Sequence, residues 1–310
     1  MGEGHSYDDM AQAQARRQLL LGTFGVIAAA CAESSSRVPA AAPGADAARS
    51  LHEIERRTGG RLGVFALDTA TGRELAHRAD ERFAMCSTFK WALAAAVLAL
   101  VDRGELSLDE RLSYGPEDLL EYAPVTRESV AHGFMTVDAL AAAAVVVSDN
   151  TAANLLLAKL GGPAAFTRFV RAAGDSVTRL DRLEPALNEN APGDPQDTTS
   201  PRAMVGLMRH ILCGPDALSP ASRDRLLGWL RGCQTGAKRL RAGFPPDWSV
   251  GNKTGSGAGN AVNDVAIAVP RGRAPVLVAV YTSGGNVELG ALEAAHADVA
   301  RLVASELRHG

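Results

Sequence analysis

Strand-like segments in this chain lie only near its two ends, and everything between them reads as helix or loop. Residues 62–67 and 74–79 are apolar runs joined by the turn-forming stretch 68–72. Residues 248–254, 262–269 and 276–281 make the second group. This arrangement predicts an α+β fold: an antiparallel sheet built from both chain ends, flanked by helices at 45–57 and 288–307, with an all-α domain inserted in the middle and the functional cleft between the two parts. The expected boundaries are an α/β subdomain from 49–84 and 233–310 and an all-α subdomain over 85–232.

In the middle, three helical segments are expected at 87–101, 136–147 and 151–160, each apolar on most faces and so buried within a helical layer. Helices are also expected at 201–212 and 219–230. The segment 182–199 between them carries Pro185, Pro192, Gly193 and Pro195 among polar residues, so it reads as a long loop. Loops of that length inside a compact domain are usually functional.

The N-terminus is a separate matter. Arg16-Arg17, an apolar run over 19–30, and Cys31 after three alanines read as an export signal at 1–31, too short to span a bilayer. The paired arginines resemble a twin-arginine signal. Cys31 is a candidate lipid-anchor site, with ordinary cleavage at the alanine run as the alternative. A Ser, Pro and Ala-rich linker follows at 32–48. The expected location is therefore outside the cytoplasm: periplasmic, secreted or lipid-anchored.

Charge excludes one class of partner. The net charge is -3, with no arginine stripe beside aromatics, which sets nucleic-acid binding aside. Among 32 basic residues only Lys90, Lys159, Lys238 and Lys253 are lysines. Arginine stays charged wherever it sits, whereas a buried lysine can lose its proton, so a lysine retained in an arginine-rich chain hints at amine chemistry. The cysteines Cys86, Cys213 and Cys233 give no convincing pair, and no disulfide is expected. The seven histidines, His5, His52, His77, His132, His210, His296 and His309, are scattered without ligand spacing along a helix, so neither metal nor cofactor is expected.

Two of the lysines lie in short motifs. Ser87-Thr88-Phe89-Lys90 opens a helix, which puts the hydroxyl and the amine on one face, one turn apart, at the positive end of the helix dipole. A serine needs such a neighbouring base to act as a nucleophile. Alone, this tetrapeptide is as well explained by a helix cap beside an exposed lysine. Ser148-Asp149-Asn150 and Lys253-Thr254-Gly255 follow in order, and singly they too read as a cap and a strand-end turn. The ordered combination is far more specific, being a known signature of serine enzymes that acylate on penicillin.

On these motifs the chain resembles the class A serine β-lactamases over residues 45–308. The resemblance implies that Ser87 attacks the lactam carbonyl, with Lys90 taking part in its deprotonation and Ser148 passing a proton to the departing nitrogen. Asn150 would bond the substrate's side-chain amide. Lys253, Thr254 and Ser256 would hold its carboxylate, and the backbone N–H groups of Ser87 and Ser256 would form the oxyanion hole. Glu184-Pro185-Ala186-Leu187-Asn188 resembles the family's loop motif, with Glu184 as the base for the hydrolytic water and Asn188 helping to hold it; Arg182 and Asp197 match the pair that closes this loop. Tyr122 matches the aromatic residue of the cleft.

The chain departs from the pattern in two places. Many members carry an arginine where Val262 stands, and here Arg239 matches the alternative placement, so Arg239 is expected to supply that charge. Cys86 resembles a half-cystine of some broad-spectrum members, but the stretch after Lys253-Thr254-Gly255 has no cysteine. The expected partners are a β-lactam and water, with no obligate protein partner and a monomeric state. The rival readings are a D-Ala-D-Ala carboxypeptidase and a non-hydrolysing penicillin-binding sensor. Glu184 and Asn188 argue against the first, and a sensor would be expected to carry a transmembrane segment or signalling partner, which the sequence does not suggest.

Overall fold

The computed structural model describes residues 44–307. The expected export signal, Cys31 and nearly all of the linker lie outside these residues. The linker, expected to reach residue 48, has already given way to helix at Ala45. Helix α1 (Ala45–Thr58) ends where Gly59 takes the left-handed conformation at φ 66, which a residue with a Cβ adopts poorly. Strands β1 (Arg61–Asp68) and β2 (Glu74–His77) form a hairpin whose turn is fixed by the Asp68 carboxylate, which accepts from Ala70 N–H at 2.9 Å.

The middle of the chain opens with β3 (Phe83–Ala84) and α2 (Phe89–Asp102). It continues through β4 (Arg111–Ser113), α3 (Pro124–Ser129), β5 (Phe134–Thr136), α4 (Val137–Val146), α5 (Asn150–Leu160) and α6 (Pro163–Ala172). After the long loop come β6 (Thr198–Thr199), α7 (Pro201–Met208), α8 (Pro220–Arg231) and the short α9 (Leu240–Gly243). The C-terminal part is β7 (Ser249–Gly257), β8 (Ala261–Val269), β9 (Val276–Ser283) and α10 (Leu289–Leu307).

Five strands form one antiparallel sheet in the order β2-β1-β9-β8-β7. The first strand of the chain therefore lies against the last, from Arg61 opposite Ser283 to Asp68 opposite Val276. Both faces of the sheet are covered. Val64, Ala66, Val278 and Val280 pack with Leu51 of α1 and Val299 and Val303 of α10. Phe65, Val265, Ala279 and Tyr281 point the other way, into a core shared with Trp91, Leu156 and Met204 of the helical layer. Double coverage explains why these strands read as continuous apolar runs instead of alternating.

The α+β architecture expected from the sequence is the one observed. Several elements were not foreseen: α3, α6, α9, the pair β4–β5, and the pair β3–β6, whose second strand lies within the stretch read as loop. The helix expected to run through residue 212 is α-helical only to Met208 and continues as a π-helical turn over Arg209–Cys213.

Candidate active site

Ser87 sits on a 3₁₀ turn, Cys86–Thr88, that leads into α2. The preceding Cys86 has φ 46, a conformation unfavourable for a side-chain-bearing residue, so the turn must be held from outside. Two strands hold it. Asn263 of β8 donates from Nδ2 to the carbonyls of Ala84 and Met85, at 2.9 and 3.1 Å. Gly255 of β7 approaches so closely that a Cβ there would lie 2.7 Å from Met85 O and 3.1 Å from Ser87 N. The glycine after Lys253-Thr254 is thus required by the turn that carries Ser87.

One helical turn beyond Ser87, Lys90 is wholly buried. Its Nζ donates to Ser148 O at 2.9 Å and Asn150 Oδ1 at 2.5 Å, and pairs with Glu184 Oε1 at 2.9 Å. Burial pulls its pKa below the usual lysine range, against the opposing charge of Glu184. Ser87 Oγ donates to the same Glu184 oxygen at 3.2 Å. The other oxygen, Oε2, accepts from Asn188 Nδ2 at 2.5 Å. Glu184 therefore stands between the Ser87 hydroxyl, a buried amine and a loop amide.

Ser148 occupies the turn between α4 and α5 at φ 64. The turn is fixed by Asp149, which caps α5 by accepting from Ala152 N–H and takes the Val125 and Thr126 N–H groups on its other oxygen. Ser148 Oγ accepts from Lys253 Nζ at 3.0 Å. Lys253 is also fully buried, and burial, with the nearby Lys90 charge adding to it, pushes its pKa down to about 7. Two lysines from opposite sides of the cleft thus converge on one serine hydroxyl, which suits it to relay a proton.

The loop that carries Glu184 is tied at two points. Asn154 of α5 accepts from Glu184 N–H at 3.0 Å and donates to Glu184 O at 2.9 Å. Asp197, fully buried, accepts from Arg182 Nε at 2.5 Å and from the N–H groups of Asp181 and Arg182.

These groups border a cleft of about 340 Å³ lined by Ser87, Tyr122, Ser148, Asn150, Asn188, Thr235, Arg239, Thr254, Gly255 and Ser256. Lys90, Glu184 and Lys253 sit behind this lining, each bonded to it. All eleven side chains singled out from sequence are brought together. A larger hollow of about 760 Å³ under the loop, beside Asn190, Asp194 and Gly284, contains none of them. Arg239 reaches the cleft in an indirect way: Nη1 donates to Gly255 O and Asn263 O, and Nη2 to Ser256 Oγ at 2.8 Å. Val262 faces Ser256 across β7 and β8.

Sequence reading missed Thr235, whose hydroxyl bonds that of Thr254, and the bracing residues Asn154 and Asn263. Their partners lie far away in sequence, so no local pattern marks them. Cys86, Cys213 and Cys233 are free thiols, with burial holding Cys86 up at about 12. His52 and His77, apart in sequence, meet beside Glu55 at the far edge of the sheet.

The chain matches the model of the β-lactamase enzyme family over residues 46–307. It is 43% identical over 305 residues to a β-lactamase of Streptomyces albus G, covering 94% of this chain and 97% of that enzyme. It is 45% identical over 256 residues to the carbapenem-hydrolysing β-lactamase KPC of Klebsiella oxytoca, covering 82% and 87%. Among solved structures, the class A β-lactamase of the last common ancestor of Gram-negative bacteria superposes with a TM-score of 0.83 at 58% identity, covering 85% of this chain and all (100%) of that one. With a buried lysine and a loop glutamate meeting at one serine, and with likeness of this extent to such enzymes, the chain belongs to the class A serine β-lactamases.

Proposed function

We propose that the chain opens the β-lactam ring of penicillins and cephalosporins in two steps through an acyl-serine intermediate, and so confers resistance to these antibiotics. Ser87 Oγ attacks the lactam carbonyl as its proton passes to the Glu184–Lys90 pair. The Ser87 and Ser256 N–H groups receive the developing oxyanion. Ser148 delivers a proton to the departing nitrogen, drawing on Lys253 and Lys90. Lys253, Thr254 and Ser256 hold the substrate carboxylate, with Arg239 acting on it through Ser256. Asn150 bonds the side-chain amide, and Tyr122, half exposed, lines the rim. In the second step Glu184 takes a proton from a water held jointly with Asn188, the resulting hydroxide attacks the acyl carbonyl, and the C–Oγ bond breaks as Ser87 Oγ regains its proton.

The observation that carries this reading is the placement of Glu184, 3.2 Å from Ser87 Oγ and bonded to Asn188. A carboxypeptidase or a sensor needs only the acylating half. Replacing Glu184 by Ala leaves Lys90 to take the Ser87 proton, so acylation is expected to persist while turnover is abolished, and nitrocefin cleavage stops after a burst of one equivalent. Continued steady hydrolysis by that variant would remove Glu184 from the mechanism.

Among the described residues no helix is long and apolar enough to cross a membrane. The reading extends to an exported monomer acting on a small molecule and water without a protein partner, with Cys31 as the candidate lipid anchor. Fractionation of expressing cells tests this. Activity in the membrane fraction that becomes soluble in Cys31→Ala supports the anchor, and activity retained in the cytoplasm argues against export.

A further inference from the structure

We propose that His52, Glu55 and His77 form a binding site for a divalent transition-metal ion, outside the catalytic cleft. His52 and Glu55 lie one turn apart on α1, and His77 ends β2. Their ligand atoms all fall within 4.8 Å of one another, and the two imidazoles meet edge to face at 4.8 Å between centroids. His77 supplies the second sign of a ligand. Its side chain is only 8% exposed, and its buried Nε2 makes an ion-pair contact with Glu55 Oε2 at 3.2 Å that falls short of a regular hydrogen bond.

The carboxylate is already oriented. Glu55 Oε1 accepts from Leu62 N–H at 3.0 Å and from Arg78 Nε at 2.5 Å, leaving Oε2 towards His77 with only a longer contact from Arg78 Nη2 at 3.3 Å. Arg78 in turn shares its charge with Glu81 at 2.9 Å. Two imidazoles and one carboxylate are a donor set suited to zinc, copper or nickel. Around a tetrahedral zinc with bonds of roughly 2.0–2.2 Å, donor atoms stand about 3.3–3.5 Å apart. The pair His77 Nε2 and Glu55 Oε2, at 3.2 Å, is within about 0.1 Å of that spacing, and the exposed His52 offers a third ligand atom within 4.8 Å of both.

An ion held there ties α1 to the edge strand β2. Four strand spacings, about 19 Å, separate that edge from β7, which carries Lys253. The ion should therefore act on stability and leave catalysis alone.

Calorimetric titration of EDTA-stripped protein with Zn²⁺ tests the site. One equivalent is expected to bind, with affinity at least about tenfold weaker in His52→Ala and in Glu55→Gln. At a hundredfold excess over Kd the melting temperature of the wild type should rise by on the order of 5 °C, with nitrocefin turnover unchanged. His52 is exposed, so its loss should not impair folding. Failure to bind one equivalent, or equal binding by His52→Ala, overturns the proposal; the latter result would place the ion on other exposed histidines such as His132 or His210.

Discussion

In the proposed mechanism Lys253 is the residue whose protonation reaches furthest into substrate binding. Its ammonium donates to Ser148 Oγ and Thr254 O in a fully buried setting that pushes the pKa down to about 7. Below that value the group is charged and attracts a carboxylate; as pH rises through it the charge is lost. kcat/KM for benzylpenicillin, which reports the free enzyme, is therefore expected to fall on the alkaline side of about pH 7. Lys253→Arg keeps its charge and should flatten this limb; an alkaline limb unchanged in that variant would assign it to another group. At this scale the sequence located the cleft only through contiguous motifs read together and in order, Ser87 to Lys90, Ser148 to Asn150 and Lys253 to Gly255. It was silent where a residue matters through distant neighbours. Gly257 looks like one of several loop glycines, yet a Cβ there would lie 2.4 Å from Asn188 O and 2.7 Å from Cys86 Sγ.

The long loop shows how an element without regular structure is held in place. Its proline content made it recognisable, but what fixes it is the buried Asp197, which accepts three hydrogen bonds from residues 181 and 182 and has φ 56. Asp197→Ala leaves the Arg182 guanidinium and two N–H groups without this acceptor. The expected loss is roughly 3 kcal/mol, by analogy with other broken buried pairs, read as a fall in melting temperature of about 6 °C, with nitrocefin turnover falling as Glu184 loses its support. A melting curve equal to that of the wild type would show that Asn154 alone suffices. Helix α6 escaped sequence reading because Gly161, Gly162 and Pro163 look like a break. Proline at the first helical position is also a start signal, and the buried Phe166 and Val170 lie on one face behind it. Strand β7 was expected to stop at Thr254 for a similar reason, since Gly255 and Gly257 argue against a strand until the turn they pass is known.

For the whole molecule, the grouping of apolar runs at the two ends was enough to anticipate the sheet, because no other partner was available to those strands. It was not enough to give the order β2-β1-β9-β8-β7, which depends on two helices, α1 and α10, sharing one face. The pairing of β1 with β9 joins positions roughly 220 residues apart, as Arg61 meets Ser283. During synthesis at about 5–20 residues per second, β1 emerges on the order of 10–40 seconds before its neighbour exists. Its apolar stretch, with only β2 beside it, must be shielded by something other than the finished protein for that interval. The join of β1 to β9 at the centre of the mature sheet therefore gives the nascent chain a waiting period, when a chaperone has its opportunity to bind.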